Sequence, residues 1–176
     1  MEKTLSKSTD FRGSLLTLEV HEVELQDGST SRREIVRHPG AVCCVVLRKD
    51  GHTALVRQYR KAIEAMTLEI PAGKIDPGES PQSTVIRELQ EEVGYRSGHI
   101  RHLMDFYCSP GFCDENLSLY LATDVEVGAQ SLDDGEFLEL QWLPFEEALE
   151  MALTGRLGDA KSVAGILATD RLLKRG

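Results

Sequence analysis

Between Gly73 and Tyr95 the chain reads GKIDPGESPQSTVIRELQEEVGY. Ser80 is an N-capping type, Pro81 suits the first helical position and Gly94 supplies a stop, so the stretch predicts a helix from Pro81 to about Val93. Helical spacing then puts Glu88, Glu91 and Glu92 at i, i+3 and i+4 on one face, where like-charge pairs each cost roughly 0.2–0.5 kcal/mol. A charge run on a helix is usually a solvated face. Here a glycine-rich loop leads into the helix, and glycine lets backbone approach a ligand closely. Glu88 and Glu92 stand one turn apart, about 6 Å along the axis. Clustered hard oxygen donors suit magnesium or manganese, which keep several waters and bridge to phosphate oxygens. A divalent cation, bringing a phosphate-bearing ligand with it, would relieve the repulsion.

Around this helix the chain alternates between strand and helix signals. SLLTLEVHEVEL (14–25), the turn QDGS and TSRREIVRH (30–38) read as a hairpin, preceded by a polar terminus, Met1 to Asp10, expected to be loose. AVCCVVL, from Ala41, reads as a buried central strand that points Cys43 and Cys44 to opposite faces, with TALVRQYR returning antiparallel to it. AMTLEIPAG carries a short strand ending at Pro71. Beyond the carboxylate helix, HIRHLMDFYCS, NLSLYLATDV and FLELQWLP read as strands. Pro144 opens a helix through Ala152, and Asp159 caps a final one to about Leu173. Strands interleaved with a few helices predict a mixed α/β fold without repeats.

At 176 residues the chain fits one globular domain, with or without a small appendage. A net charge of -9 argues against a general nucleic-acid binder, which needs a basic face. No apolar run nears the roughly 18 residues of a membrane span and no N-terminal signal pattern is present, so a soluble, cytoplasmic protein is expected, with no membrane partner. The cysteines, at 43, 44, 108 and 113, lack a disulfide-framework pattern and are expected to be reduced thiols in preference to a zinc site. The five histidines show no metal spacing and read as structural or solvent-facing.

Gly73, Glu79, Arg87-Glu88-Leu89, Glu91-Glu92, Gly94 and Tyr95 match the Nudix box, G-x5-E-x7-R-E-U-x-E-E-x-G-U, at all nine fixed positions. The chain therefore resembles the Nudix hydrolases. RHPGAVCCVVL, ALVRQYR, LEIPAGKIDPGE, SPGFCDE, DDGEFLEL and GDAKSVAGIL are similar, in order, to segments of the ADP-ribose pyrophosphatase branch. Pro110, fifteen residues past Tyr95, matches that branch's substrate-class marker.

The resemblance implies a Nudix-type α/β/α sandwich with a mixed sheet over residues 39–176. Residues 1–38 would form a small N-terminal antiparallel β unit for dimerisation and substrate clamping. It further implies Mg2+-dependent hydrolysis of the pyrophosphate of ADP-ribose, or a similar ADP-sugar, to AMP and ribose 5-phosphate by a cytoplasmic homodimer, with Mn2+ a substitute ion. Two alternatives stand beside it. One is a pyrophosphatase for another nucleoside-diphosphate sugar or for a flavin or nicotinamide dinucleotide. The other is a non-catalytic nucleotide-sugar sensor, which loss of box carboxylates would favour, and none is lost.

Carried over position by position, the resemblance makes the backbone carbonyl of Ala72 and the side chains of Glu88 and Glu92 metal ligands, with Glu91 a further ligand or base. Arg60 is implied to reach a phosphate, Arg33 to reach the substrate from the N-terminal unit, and Glu115 to contact the terminal ribose. Gly73, Glu79 and Arg87 are expected to support these groups, the arginine fork pairing with carboxylates and holding the loop against the helix. A catalytic glutamate is implied within LDDGEFLEL, which offers Asp133, Asp134, Glu136 and Glu139, and the DGEF pattern selects Glu136. Taken without the resemblance, Arg33 reads equally as a strand-surface cation, Glu115 as a loop carboxylate and Glu136 as part of a solvated acidic turn.

Overall fold

In the computed structural model, which describes residues 1–132, 135 and 137–175, strand pairing begins almost at the N-terminus. β1 (Lys3–Arg12) pairs antiparallel with β2 (Thr17–Glu24), which pairs antiparallel with β3 (Thr30–Arg37). The terminus is therefore ordered into a strand, correcting the expectation of a loose Met1 to Asp10. Because β1 is exposed along its whole length, no apolar alternation announces it. Its ladder to β2 holds it, with ion pairs from Lys7 to Glu19 (3.7 Å) and from Arg33 to Glu2 (2.5 Å). These strands and the later segment Tyr107–Asn116 form one compact unit with Met1–Gly40. The Val36 amide donates to the Phe112 carbonyl at 2.7 Å, and the Asp114 amide to the Val36 carbonyl at 3.1 Å.

A second unit comprises Ala41–Phe106 and Leu117–Gly176. Its elements are β4 (Ala41–Val46), β5 (His52–Arg60), β6 (Ala65–Glu69), β7 (Ala72–Lys74), α1 (Pro81–Val93), β8 (Tyr95–Tyr107), β9 (Asn116–Val127), β10 (Leu138–Pro144), α2 (Phe145–Leu153) and α3 (Ala160–Leu173). A mixed four-stranded sheet runs β7-β4-β9-β8, parallel between β4 and β9 and antiparallel between β4 and β7. An antiparallel sheet runs β10-β5-β6.

Every residue of β4 is buried, which is why it reads as an unbroken apolar run. Its alternation divides the core. Cys43 and Val45 pack with Leu119, Leu149 and Ile166, while Val42, Cys44 and Val46 pack with Val85, Leu89 and Val93 of α1. Helices thus cover both faces of the mixed sheet, and Cys43 and Cys44 do point to opposite faces; none of the four cysteines is in a disulfide. Burying side chains such as Val85, Leu89 and Val93 fully stabilises by about 1.5–3 kcal/mol each, enough to clamp α1 onto the sheet.

Local signals set the ends of α1. The Ser80 hydroxyl accepts from the Ser83 amide at 3.1 Å, the Ser83 hydroxyl accepts from the Ser80 amide at 2.9 Å, and Gly94 adopts a left-handed φ of 70°. The strand expected to end at Pro71 is β6, which stops at Glu69, and a further short strand, β7, follows the proline in a different sheet. Proline has no amide hydrogen with which to continue the ladder, and the Pro71 carbonyl instead accepts from the Cys44 amide at 2.9 Å. This break carries Glu69 and Ala72 into separate sheets. No helix among the described residues is long and apolar enough to cross a membrane.

Candidate active site

Packing α1 against β7 brings two box carboxylates onto backbone. Glu88 and Glu92 are both buried. The Ala72 amide donates to Glu92 Oε2 at 3.1 Å. The Glu88 carboxyl lies directly over Gly73, so that a Cβ at that position would overlap its carboxyl carbon and both oxygens. Gly73 is therefore required for a close approach. Two carboxylates, one helical turn apart, end up against the Ala72–Gly73 peptide.

Arg87 ties this face to the preceding loop. Its Nε and Nη2 donate to the two oxygens of Glu79 at 3.0 and 3.1 Å, and Nη2 also reaches the Lys74 carbonyl at 3.3 Å. Its Nη1 stands 2.8 Å from Glu88 Oε1 and 3.0 Å from Glu91 Oε2. Glu79 accepts further from the Thr84 hydroxyl at 2.9 Å. The hydrogen bonds from Arg87, then Thr84, hold the Glu79 carboxyl at about 2, and the Glu79 carboxylate raises the Arg87 pKa in turn.

The donor chemistry fits a hard divalent cation: the carboxylates of Glu88, Glu91 and Glu92 and the carbonyl of Ala72 offer oxygen only. The cradle over Gly73 shows that close approach to backbone is built in. Among the described residues, no three His, Cys, Asp or Glu side chains stand in metal-ligating geometry. Arg87 carries the counter-charge to Glu88 and Glu91 in this arrangement.

Arg60, at the end of β5, forks onto Glu69 of β6, with Nε to Oε1 at 2.8 Å and Nη2 to Oε2 at 2.7 Å. It also lies close enough to Asp159 and Glu92 to feel their charges, which, after the Glu69 hydrogen bonds, add to its raised pKa. Glu69 is buried and accepts in addition from Thr67 Oγ1 at 2.6 Å and from Lys161 Nζ. Burial pushes its carboxyl up, but the Arg60 fork and the Lys161 charge outweigh this and hold it at about 2. Sequence reading gave Glu69 and Lys161 no role. The available signals were a lone acid in the strand TLEIP and a lysine in the first turn of a helix, where the dipole disfavours a cation.

In the first unit, Arg33 forks onto Glu2, at 3.1 Å from Nε and 2.5 Å from Nη2. Arg37 bridges Glu19 (2.9 Å) and Asp114 (3.0 Å), fixing the segment after Pro110 to the N-terminal sheet. A cleft of about 420 Å³ opens here, lined by residues including Arg33, Arg37, Tyr107, Pro110, Phe112 and Asp114. Glu115 stands beside His38, 3.8 Å from its Nδ1. The structure thus gathers Ala72, Gly73, Glu79, Arg87, Glu88, Glu91 and Glu92 around α1 and β7, and sets Arg33 and Pro110 about one cleft. Glu136 lies outside the described residues, as do Asp133 and Asp134.

Residues 37–165 match the NUDIX domain family. The chain is 42% identical over 167 residues to the methanol dehydrogenase activator of Bacillus methanolicus, covering 94% of this chain and 90% of that protein. It is 41% identical over 167 residues to the ADP-ribose pyrophosphatase of Bacillus subtilis (strain 168), with the same coverage of 94% and 90%. A crystal structure described as an ADP compounds hydrolase superposes with a TM-score of 0.85 at 25% identity, over 98% of this chain and 94% of the other.

Proposed function

The chain belongs to the NUDIX domain family, as a Nudix pyrophosphohydrolase, and from that premise we propose that it hydrolyses ADP-ribose, or a close ADP-sugar, to AMP and ribose 5-phosphate. The observation that carries this reading is the buried Glu88–Glu92 pair seated on the Ala72–Gly73 backbone, in a chain 41% identical to a relative named for that activity.

The carbonyl of Ala72 and the carboxylates of Glu88, Glu92 and Glu91 would hold the divalent cation, Mg2+ in this proposal with Mn2+ as substitute. Bound there, the ion supplies charge neutralisation of the pyrophosphate and a lowered pKa for water. The residues of the chain do the rest. Glu91 or Glu136 takes the proton of the attacking water as one phosphorus–oxygen bond of the anhydride breaks. Arg60 turns its remaining N–H groups to a phosphate, adding fixed positive charge where negative charge develops. Arg33 and Glu115 contact the nucleoside and terminal ribose ends. Arg87 and Glu79 keep the glycine loop on the helix, so the ligand-bearing backbone stays in register with α1. The protein acts as a cytoplasmic homodimer in this reading, with residues 1–38 serving dimerisation and substrate clamping.

A second reading stands beside this one, because similarity alone does not select the substrate: the relative named a methanol dehydrogenase activator is as similar as the pyrophosphatase. A flavin or nicotinamide dinucleotide contains the same anhydride bond, so the same carboxylates would serve. A panel of nucleotide sugars and dinucleotides, incubated with magnesium and resolved by product chromatography, tests both. ADP-ribose is expected to give AMP, with activity lost to chelator and restored by Mg2+ or Mn2+. If ADP-ribose stays intact while a non-adenine sugar nucleotide is cleaved rapidly, the substrate assignment is wrong.

A further inference from the structure

Behind Arg60 lies a buried group of charges that metal ligation does not explain. Glu69 takes the Arg60 fork on one side and Lys161 Nζ on the other. Lys161, itself buried, is held from below by Asp159 Oδ2 at 3.0 Å, the same oxygen that caps α3 through the Ser162 amide at 3.0 Å. The Ser162 hydroxyl in turn accepts from the Ile70 amide at 2.8 Å, which fastens the start of α3 to the residue after Glu69. A cation in the first turn works against the helix dipole, and burial of its charge is a further penalty. Such a placement needs a purpose.

Charge balance supplies one. Two carboxylates, Glu69 and Asp159, meet two cations, Arg60 and Lys161. Without Lys161, Arg60 would be the one cation on a buried Glu69, and its charge would be neutralised inward. With Lys161 in place, the fork engages only Nε and Nη2. Among the described residues Nη1 has no hydrogen-bond partner, and the side chain is 44% exposed while Glu69 is 3% exposed. The guanidinium is locked along its inner edge and open along its outer one.

We infer that Lys161 is a positioning residue: acting through Glu69, it keeps the Arg60 guanidinium turned outward with its charge available to a phosphate of the substrate. This rests on the reading of Arg60 as a phosphate ligand and extends the site to the first turn of α3.

A double-mutant cycle tests it. Affinity for inorganic pyrophosphate with magnesium present, by calorimetry, and KM and kcat for ADP-ribose are measured for the wild type, Lys161→Met, Arg60→Ala and the double variant. Lys161→Met should weaken pyrophosphate binding and raise KM about 5–20-fold with kcat changed less than about threefold, and in the Arg60→Ala background it should change either by less than about twofold. Lys161→Arg should restore most of the affinity. An equal loss in both backgrounds, or no loss in either, overturns the inference. Melting curves establish that each variant is folded at the assay temperature, and Lys161→Gln, which keeps a donor, replaces the Met variant if that one is not. If the wild type leaves ADP-ribose intact, the substrate reading fails by itself, because the pyrophosphate arm still reads the coupling between Lys161 and Arg60.

Discussion

The Glu88 carboxyl occupies the space that a side chain at Gly73 would fill. A methyl group there would meet the end of a flexible side chain, with no demand for a positive φ at the glycine. Gly73→Ala should therefore fold normally but push the Glu88 carboxyl off the backbone. Displacing groups that orient a ligand typically costs 10–100-fold in metal affinity, so the magnesium needed for half-maximal activity should rise by roughly that factor. A magnesium titration of the variant checks this, and an unchanged midpoint would show that the cradle is incidental.

Glu88→Gln and Glu92→Gln should each abolish most of the metal response. Their effects on stability should be small, for opposing reasons. Each substitution removes a like-charge contact worth roughly 0.2–0.5 kcal/mol on the helix face. Glu88→Gln also gives up the ion pair with Arg87 at 2.8 Å, whereas the side-chain amide introduced by Glu92→Gln retains an oxygen able to accept from the Ala72 amide. Metal-free melting temperatures should thus stay near the wild-type value, with Glu92→Gln the less perturbed. A large drop in both would identify these side chains as structural partners.

The Arg87–Glu79 fork predicts a specific acid sensitivity. Glu79 is held at about 2 in the folded protein, against an ordinary value of 4.5. A depressed carboxyl binds its proton more readily when unfolded, so its contribution is complete above about 4.5 and disappears as pH falls toward 2. Glu69 behaves in the same direction. Compared with the wild type, Glu79→Gln should melt lower near neutral pH, and the gap should close as pH approaches 2. Thermal scans across that range decide it, and a constant gap would mean that the loss comes from packing or from the Thr84 hydrogen bond.

How far the sequence could be read follows the range of the forces involved. The bounds of α1 were legible because Ser80, Pro81 and Gly94 act within a turn of the helix end, and its carboxylate face because a helical period is local. β4 was legible because burial on both faces leaves a continuous apolar run. β1 was not, since its exposed residues carry no pattern and its order comes from pairing with β2. The Glu69–Lys161 contact joins residues 92 apart, and nothing local to either position records the other. Arg60 was legible as a cation closing the strand ALVRQYR, but its fork onto Glu69, which decides which edge of the guanidinium is open, depends on the register of β5 with β6.

The proton acceptor is the last role to separate. Glu91 is held by Arg87 Nη1 at 3.0 Å and shares the face of Glu88 and Glu92, so replacing it should disturb the cation site as well as the rate. Glu136 belongs to a different stretch of chain, and the case for it is the match of DGEF to the family's catalytic loop. Removing a general base typically lowers the rate about 10²–10⁴-fold without altering ground-state binding. Glu136→Gln should accordingly lower kcat strongly while leaving the magnesium midpoint and the KM for ADP-ribose near normal, and Glu91→Gln should shift both kcat and the midpoint. Measuring the two variants over one magnesium titration distinguishes them. Near-normal kcat in Glu136→Gln would assign the proton to Glu91, because among the described residues that carboxylate shares a helix face with Glu88 and Glu92 and is oriented by the arginine that also contacts Glu88.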